Sequence, residues 1–157
     1  MNIRRFRDSD IEAIEGLFFD TVHTVNLGDY TKAQVDAWAP EHLRPERRHN
    51  LGESLREHIS YVAEIGSAIV GFGDLRQSGY LDRLFTHKDH QRQGIATALA
   101  DVLEMEAKAL DLTAVTTDAS ITARPFFEHR GYQLVRAQTI ERFGVELQNF
   151  HMVKHLR

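Results

Sequence analysis

A handover from strand to helix near the middle of the chain constrains its fold more than any other feature. A strand-like run from Tyr80 to Thr86 leads through Gln91-Arg92-Gln93-Gly94-Ile95-Ala96-Thr97 into a helical pattern from Ile95 to about Leu110. A β-rich run, Leu112 to Thr117, follows. Strand, helix and strand in this order make a βαβ unit, which sets the two strands side by side in one sheet. The junction also has a chemical use. The first turn of a helix leaves N–H groups without intrahelical partners. These point the same way, carry about half a positive charge, and suit a phosphate. Gly94 has no Cβ and lets a phosphate approach the backbone, and Arg92 adds a full charge. The loop is neither a Walker A motif nor Gly-x-Gly-x-x-Gly.

Composition narrows the classes. At 157 residues the chain fits a single domain, 1–157, with a sizeable core. A net charge of −4 argues against general nucleic-acid binding. The lack of cysteine rules out disulfides, a thiol nucleophile and thiolate metal sites, and fits a reducing cytoplasm. The basic start, Met1 to Arg7, has no apolar core behind it, so no signal peptide is expected. No apolar run is long enough to span a membrane. Nine histidines are scattered. His87 and His90 are the closest pair, with no third ligand beside them, and no metal is expected.

The remaining elements follow from periodicity. Asn2 to Arg7 alternates like a short edge strand. Asp8-Ser9-Asp10 caps a helix whose apolar positions run from Ile11 to Val25. Thr31 caps a second helix, Lys32 to Trp38, ended by Pro40. Residues 41–50 form a loop or lead into a helix near Leu51 to His58. A period of two then gives strands Ile59–Ile65, Ala68–Arg76 and Tyr80–Thr86, with turns at Gly66-Ser67 and Ser78-Gly79. Asp118-Ala119-Ser120 caps a helix from about Ile121 to His129, with Gly131 as its C-terminal stop. Tyr132–Phe143 and Val145–Lys154 close the chain as a hairpin.

This order, with a glycine loop after the fourth strand, resembles the GNAT superfamily of acyl-CoA-dependent N-acyltransferases. Two motifs carry the likeness. One is Gln/Arg-x-x-Gly-x-Gly/Ala, matched by Gln91, Gly94 and Ala96 and preceded by the strand end Leu84-Phe85-Thr86. The other is Asn-x-x-Ala-x-x-Phe-Tyr-x-x-x-Gly-Phe, which here reads from Ser120 to Tyr132. The segment Asp118 to Glu128 and the pattern Tyr30 … Gln34 … Ala37-Trp38-Ala39 look like the YafP-like bacterial branch. The resemblance implies an α+β, three-layer fold: a mixed, mostly antiparallel sheet of about seven strands flanked by helices. It also implies a possible homodimer through the C-terminal strands.

The resemblance further implies acetyl transfer from acetyl-CoA to an amine, small or on a protein, or else a non-catalytic acyl-CoA-binding module. Coenzyme A pyrophosphate would rest on the amides of Gln93, Gly94, Ile95, Ala96 and Thr97, beside Arg92. Pantetheine would pair with the strand end at Leu84 and Thr86, and Phe85, Gln91, Ser120, Phe126 and Phe127 complete the implied cofactor contacts. A backbone N–H near Thr86 or Phe85 would receive the oxyanion. By strand alternation Tyr80, Asp82, Leu84 and Thr86 share a face. Asp82 is the best-placed general base, unless a salt bridge to Arg83 or Arg76 occupies it; Asp74 and Glu64 are weaker candidates. Phe127 stands where the family has its general-acid tyrosine, and phenylalanine has no proton to give. Tyr132 reads as core. Ser120, in place of the family's Asn, either bonds pantetheine or caps a helix. Phe19, His23, Tyr30, Trp38 and Asp82 are the candidates for the acceptor pocket, each with packing as its alternative.

Overall fold

The computed structural model describes residues Met1–Arg157. Seven strands form one sheet in the order β1-β2-β3-β4-β5-β7-β6. They are β1 (Asn2–Arg5), β2 (Ile59–Ile65), β3 (Ala68–Leu75), β4 (Tyr80–Thr86), β5 (Ala114–Ser120), β6 (Gln133–Arg142) and β7 (Val145–His155). The helices are α1 (Ile11–Thr24), α2 (Lys32–Trp38), α3 (Arg44–Glu57), α4 (Ile95–Ala109) and α5 (Arg124–His129). All neighbours are antiparallel except β4 and β5, joined across α4. The α+β class and its strand number follow the expectation.

Helices cover both faces. Ile14 and Leu17 of α1 and Leu51 and Leu55 of α3 pack on Val62 and Phe72. On the other face Ile95 and Leu99 of α4 meet Ala63 and Val70, and Leu103 and Ala107 meet Leu75, Leu81 and Val115. Gly71 makes this contact possible, since a Cβ there would stand 2.6 Å from Ile95 Cγ2 and 3.2 Å from the Phe85 carbonyl.

The sheet splits at its centre. β4 and β5 pair only at Tyr80↔Thr116 and Leu81↔Thr117. From Asp82 onward the inner edge of β4 has no strand beside it. The ladder to β3 also slips there: Asp74 faces Arg83 and Leu75 faces Leu81, so Asp82 is the extra residue of a β-bulge. The bulge overturns the expected single face for Tyr80, Asp82, Leu84 and Thr86. Leu81 and Leu84, three apart, both pack toward α4, whereas Phe85 packs toward α1.

The boundaries of β5, α5 and α3 differ most from expectation. Strand β5 runs on through Asp118-Ala119-Ser120, and α5 starts only at Arg124. Pairing of these residues with Asn149, Phe150 and His151 outweighs their capping tendency. Helix α3 spans Arg44–Glu57, with Pro45 in its first turn, where the missing N–H costs nothing. At Thr31 the expected cap is a full capping box: its side chain accepts from Gln34 N, and the Gln34 side chain accepts from Thr31 N.

Candidate active site

A cavity of about 940 Å³ occupies the split between β4 and β5 and reaches the loop before α4. The loop is built by backbone conformation. Arg92 (φ 59°) and Gly94 (φ 80°) are left-handed and turn the chain into the helix. The amides of residues 93–97 find no acceptor anywhere in the chain. Five unpartnered donors at a helix start make a strong anion site. Gln91, the first residue of the loop motif and a candidate for contact with the cofactor, donates from its amide to the carbonyls of Thr86 (2.8 Å) and His87 (3.1 Å), fastening the loop to the end of β4.

Below the loop lies the free edge of β4. The His87 N–H bonds Val70 O on β3. Strand alternation therefore turns the N–H and C=O of Thr86 and Leu84 toward the gap and those of Phe85 toward β3. This geometry selects Thr86 over Phe85 as the N–H facing the cavity. The Thr86 carbonyl is also held by Thr21 Oγ1 at 3.0 Å, which ties α1 to the edge.

Asp82 lines the cavity at the bulge. The Arg76 guanidinium bonds its Oδ2 at 3.2 and 3.0 Å, so the salt bridge expected as the alternative to a base role is present, and it leaves Oδ1 without a partner. Behind it, buried Asp74 accepts from Arg83 and pairs with His58 Nδ1, both at 2.7 Å. His58, Asp74 and Asp82 bring ligand-type atoms within 4.8 Å of one another, but each carboxylate already faces a guanidinium. This cluster escaped sequence reading because its members lie on three elements with no motif spacing. Asp74, a weaker base candidate, is fully buried. Glu64 is bound to Arg4 and Asn2 at the β1 edge, far from the cavity. Both are excluded from the site.

Across the split, the Tyr80 hydroxyl donates to Asp118 Oδ2 at 2.7 Å. Burial first, then the Asp118 carboxylate, push that hydroxyl well above the usual tyrosine range. His151 Nδ1 and Gln138 Nε2, each at 2.8 Å, hold Asp118 Oδ1. Burial alone would raise the Asp118 carboxyl, but these hydrogen bonds outweigh it and keep it below the usual carboxylate range. Asp118, read as a helix cap from sequence, is thus a cavity residue on β5.

The other candidates separate. Tyr30 and Trp38 line the cavity, with ring centroids 5.5 Å apart. The Tyr30 hydroxyl is fully engaged, donating to Gln148 O (2.7 Å) and accepting from Ile121 N (2.9 Å). Phe19 and His23 stand outside the cavity wall and are corrected. His23 Nε2 bonds Ala39 O at 2.7 Å, and Phe19 lies beneath the Arg44 guanidinium, so helix packing claims both. Ser120, Phe126 and Phe127 line the cavity. Ser120 Oγ accepts from Ala123 N at 3.0 Å, so its oxygen serves the turn before α5. Phe127 is 3% exposed and packs edge-on against Tyr132. Tyr132 is core, its hydroxyl bonded to Glu104 at 2.8 Å.

Comparison with known proteins fits this geometry. A sequence model of the acetyltransferase (GNAT) domain matches residues 26–154. The N-acetyltransferase YafP of Escherichia coli (strain K12) is 34% identical over 152 residues, 97% of this chain and 94% of its own. The chain belongs to the GNAT acetyltransferase family. A GCN5-related N-acetyltransferase from Rhodopseudomonas palustris superimposes with a TM-score of 0.92 at 28% identity, covering 99% of this chain and 95% of that one. PaiA N-acetyltransferase of Thermoplasma acidophilum, solved with coenzyme A, gives 0.76 at 17% identity, over 99% and 98% of the two chains, a likeness of fold. In this chain the split sheet and the amide-rich loop open on one cavity.

Proposed function

We propose that this chain transfers the acetyl group of acetyl-CoA directly to a primary amine of a small molecule, in a ternary complex within the cytoplasm. The observation that carries this reading is the coincidence of five unpartnered amides at the start of α4 with the open edge of β4. The first suits a pyrophosphate and the second an amide-bearing arm, and coenzyme A has both. Arg92 and Ser120 border the same path. The aromatic wall of Tyr30 and Trp38, with ring centroids 5.5 Å apart, supports a small acceptor over a peptide.

In the transfer, the nitrogen lone pair forms the N–C bond as the C–S bond breaks. The ammonium proton leaves toward Asp82, directly or through water, and the Thr86 N–H faces the developing oxyanion. The thiolate departs unprotonated, since Phe127 has no proton to offer and Tyr80 holds its own against Asp118. A binding module without catalysis is the second reading, favoured by Phe127 alone. The edge strand β6, with Leu134 and Val135 exposed, and Phe143 in the turn after it offer the surface on which a homodimer through the C-terminal strands would form.

Gly94 has open space beside it, so Gly94→Glu tests charge and conformation at the amide site without a core clash. Calorimetry should show acetyl-CoA binding weakened by at least about tenfold, since a like charge and a strained φ each cost on the order of 1 kcal/mol. Unchanged affinity would reject the pyrophosphate assignment. Amine-dependent thiol release by the unaltered chain separates the enzyme from the binding module.

A further inference from the structure

The cavity contains three arginines: Arg83, Arg92 and Arg142. Arg83 is bound to buried Asp74 at 2.7 Å. Arg92 lies in the anion loop on the donor side. Arg142, near the end of β6, has no carboxylate partner; its one hydrogen bond is a 3.4 Å contact to the carbonyl of its neighbour Glu141. The cavity lining thus has two guanidiniums without a carboxylate partner, Arg92 and the solvent-exposed Arg142, and the donor explains only the first.

The wall between Asp118 and Arg142 is graded. Strand β6 turns Gln138, Ile140 and Arg142 to the same face by alternation. Gln138 holds Asp118, Ile140 packs into the cluster of Tyr30 and Leu147, and Arg142 stands roughly 13 Å along the strand from Gln138 at about 3.3 Å per residue. At the split in the sheet, Asp82 lines the cavity with an oxygen, Oδ1, that accepts no hydrogen bond from the chain. The acceptor half of the cavity therefore has an N–H-accepting pole, an apolar middle and a cationic pole.

We infer that the acceptor is an amine bearing a carboxylate or similar anion at the far end of an apolar spacer, with the anion held by Arg142. The inference rests on the transfer reading and gives it a substrate class. Arg142 is a specificity residue: it binds the end of the acceptor remote from the reacting nitrogen, so removing it affects acceptor binding and leaves the chemical step alone. A simple alkylamine would leave the guanidinium without a partner, and a polycation would be repelled by it.

The test is acetyl-CoA-dependent thiol release with ω-aminohexanoate and ω-aminooctanoate set against hexylamine and octylamine. The native protein should prefer the amino carboxylates through KM. Arg142→Gln should raise KM for them about tenfold, the loss of one charge-assisted hydrogen-bond pair, with kcat, acetyl-CoA affinity and both alkylamine constants unchanged. Arg142→Lys should restore part of the preference. A native preference for the alkylamines, or equal effects of Arg142→Gln on both series, overturns the inference and leaves the transfer reading standing. No transfer to any of the four amines, with acetyl-CoA still bound, rejects the transfer reading and the inference with it.

Discussion

Tyr80 and Asp82 stand two residues apart on one strand, yet their surroundings assign them different work. Arg76 links them, bonding the Asp82 carboxylate and lying 5.0 Å above the Tyr80 ring. Asp82 lines the cavity with Oδ2 held by Arg76 and Oδ1 unpartnered. Tyr80 has its proton fixed on Asp118, and a tyrosine with a raised pKa is a weaker acid than usual. Tyr80→Phe is therefore expected to keep the alkaline limb of the pH–rate profile, measured as kcat/KM for the amine. Loss of that limb would make Tyr80 the acid that Phe127 cannot be. The amide loop and Asp82 could be read from the sequence, because glycine, charge and strand position are local properties. Asp118 and Arg142 could not. Their significance depends on β7 entering between β5 and β6, a pairing that no local spacing encodes.

The element that decides access to the site is β4, through its bulge and its open edge. Period-two reading found the strand and its length. It missed the bulge, since an extra residue shows only against the partner strand, and so it placed Tyr80 and Leu84 on one face. The same limit applied to β5 and α5, where the capping signal of Asp118-Ala119-Ser120 lost to the ladder with β7. Helix α4, whose first turn supplies the amides, is held against β3 by the space at Gly71. Gly71→Val would push on Ile95 and on the Phe85 carbonyl. Overpacking of this kind costs about 1–3 kcal/mol. Because Ile95 opens α4, the shift should reach the amides as well. Urea unfolding should show the stability loss, and calorimetry a weaker acetyl-CoA affinity. Lost stability with full affinity would mean that the loop is positioned independently of this contact.

At the scale of the whole molecule, buried charge ties the two halves of the sheet to the helices. Glu104 on α4 accepts from Arg130 after α5, from Lys154 on β7 and from Tyr132, each at 2.8 Å. Burial alone would raise its carboxyl, but these donors outweigh it and hold it below its usual 4.5. A lowered native pKa means that the unfolded chain binds the proton first. The stabilisation is therefore present above 4.5 and is lost as the pH falls through the lower native value. Asp10, tied to Arg4, behaves in the same direction. Thermal unfolding midpoints should accordingly drop on acidification below this point. Glu104→Gln should start lower and fall less steeply; an equally steep fall in that variant would move the acid sensitivity elsewhere.

The central claim is that this cavity moves an acetyl group onto an amine with Asp82 taking the proton. The most direct test is mass spectrometry of the amine after incubation with acetyl-CoA labelled in its acetyl group. The label should appear on the acceptor nitrogen with the native protein. With Asp82→Asn it should appear more slowly by about two to four orders of magnitude, the usual contribution of a general base, while acetyl-CoA affinity is unchanged. Label found only in free acetate, or equal transfer by Asp82→Asn, would contradict the account.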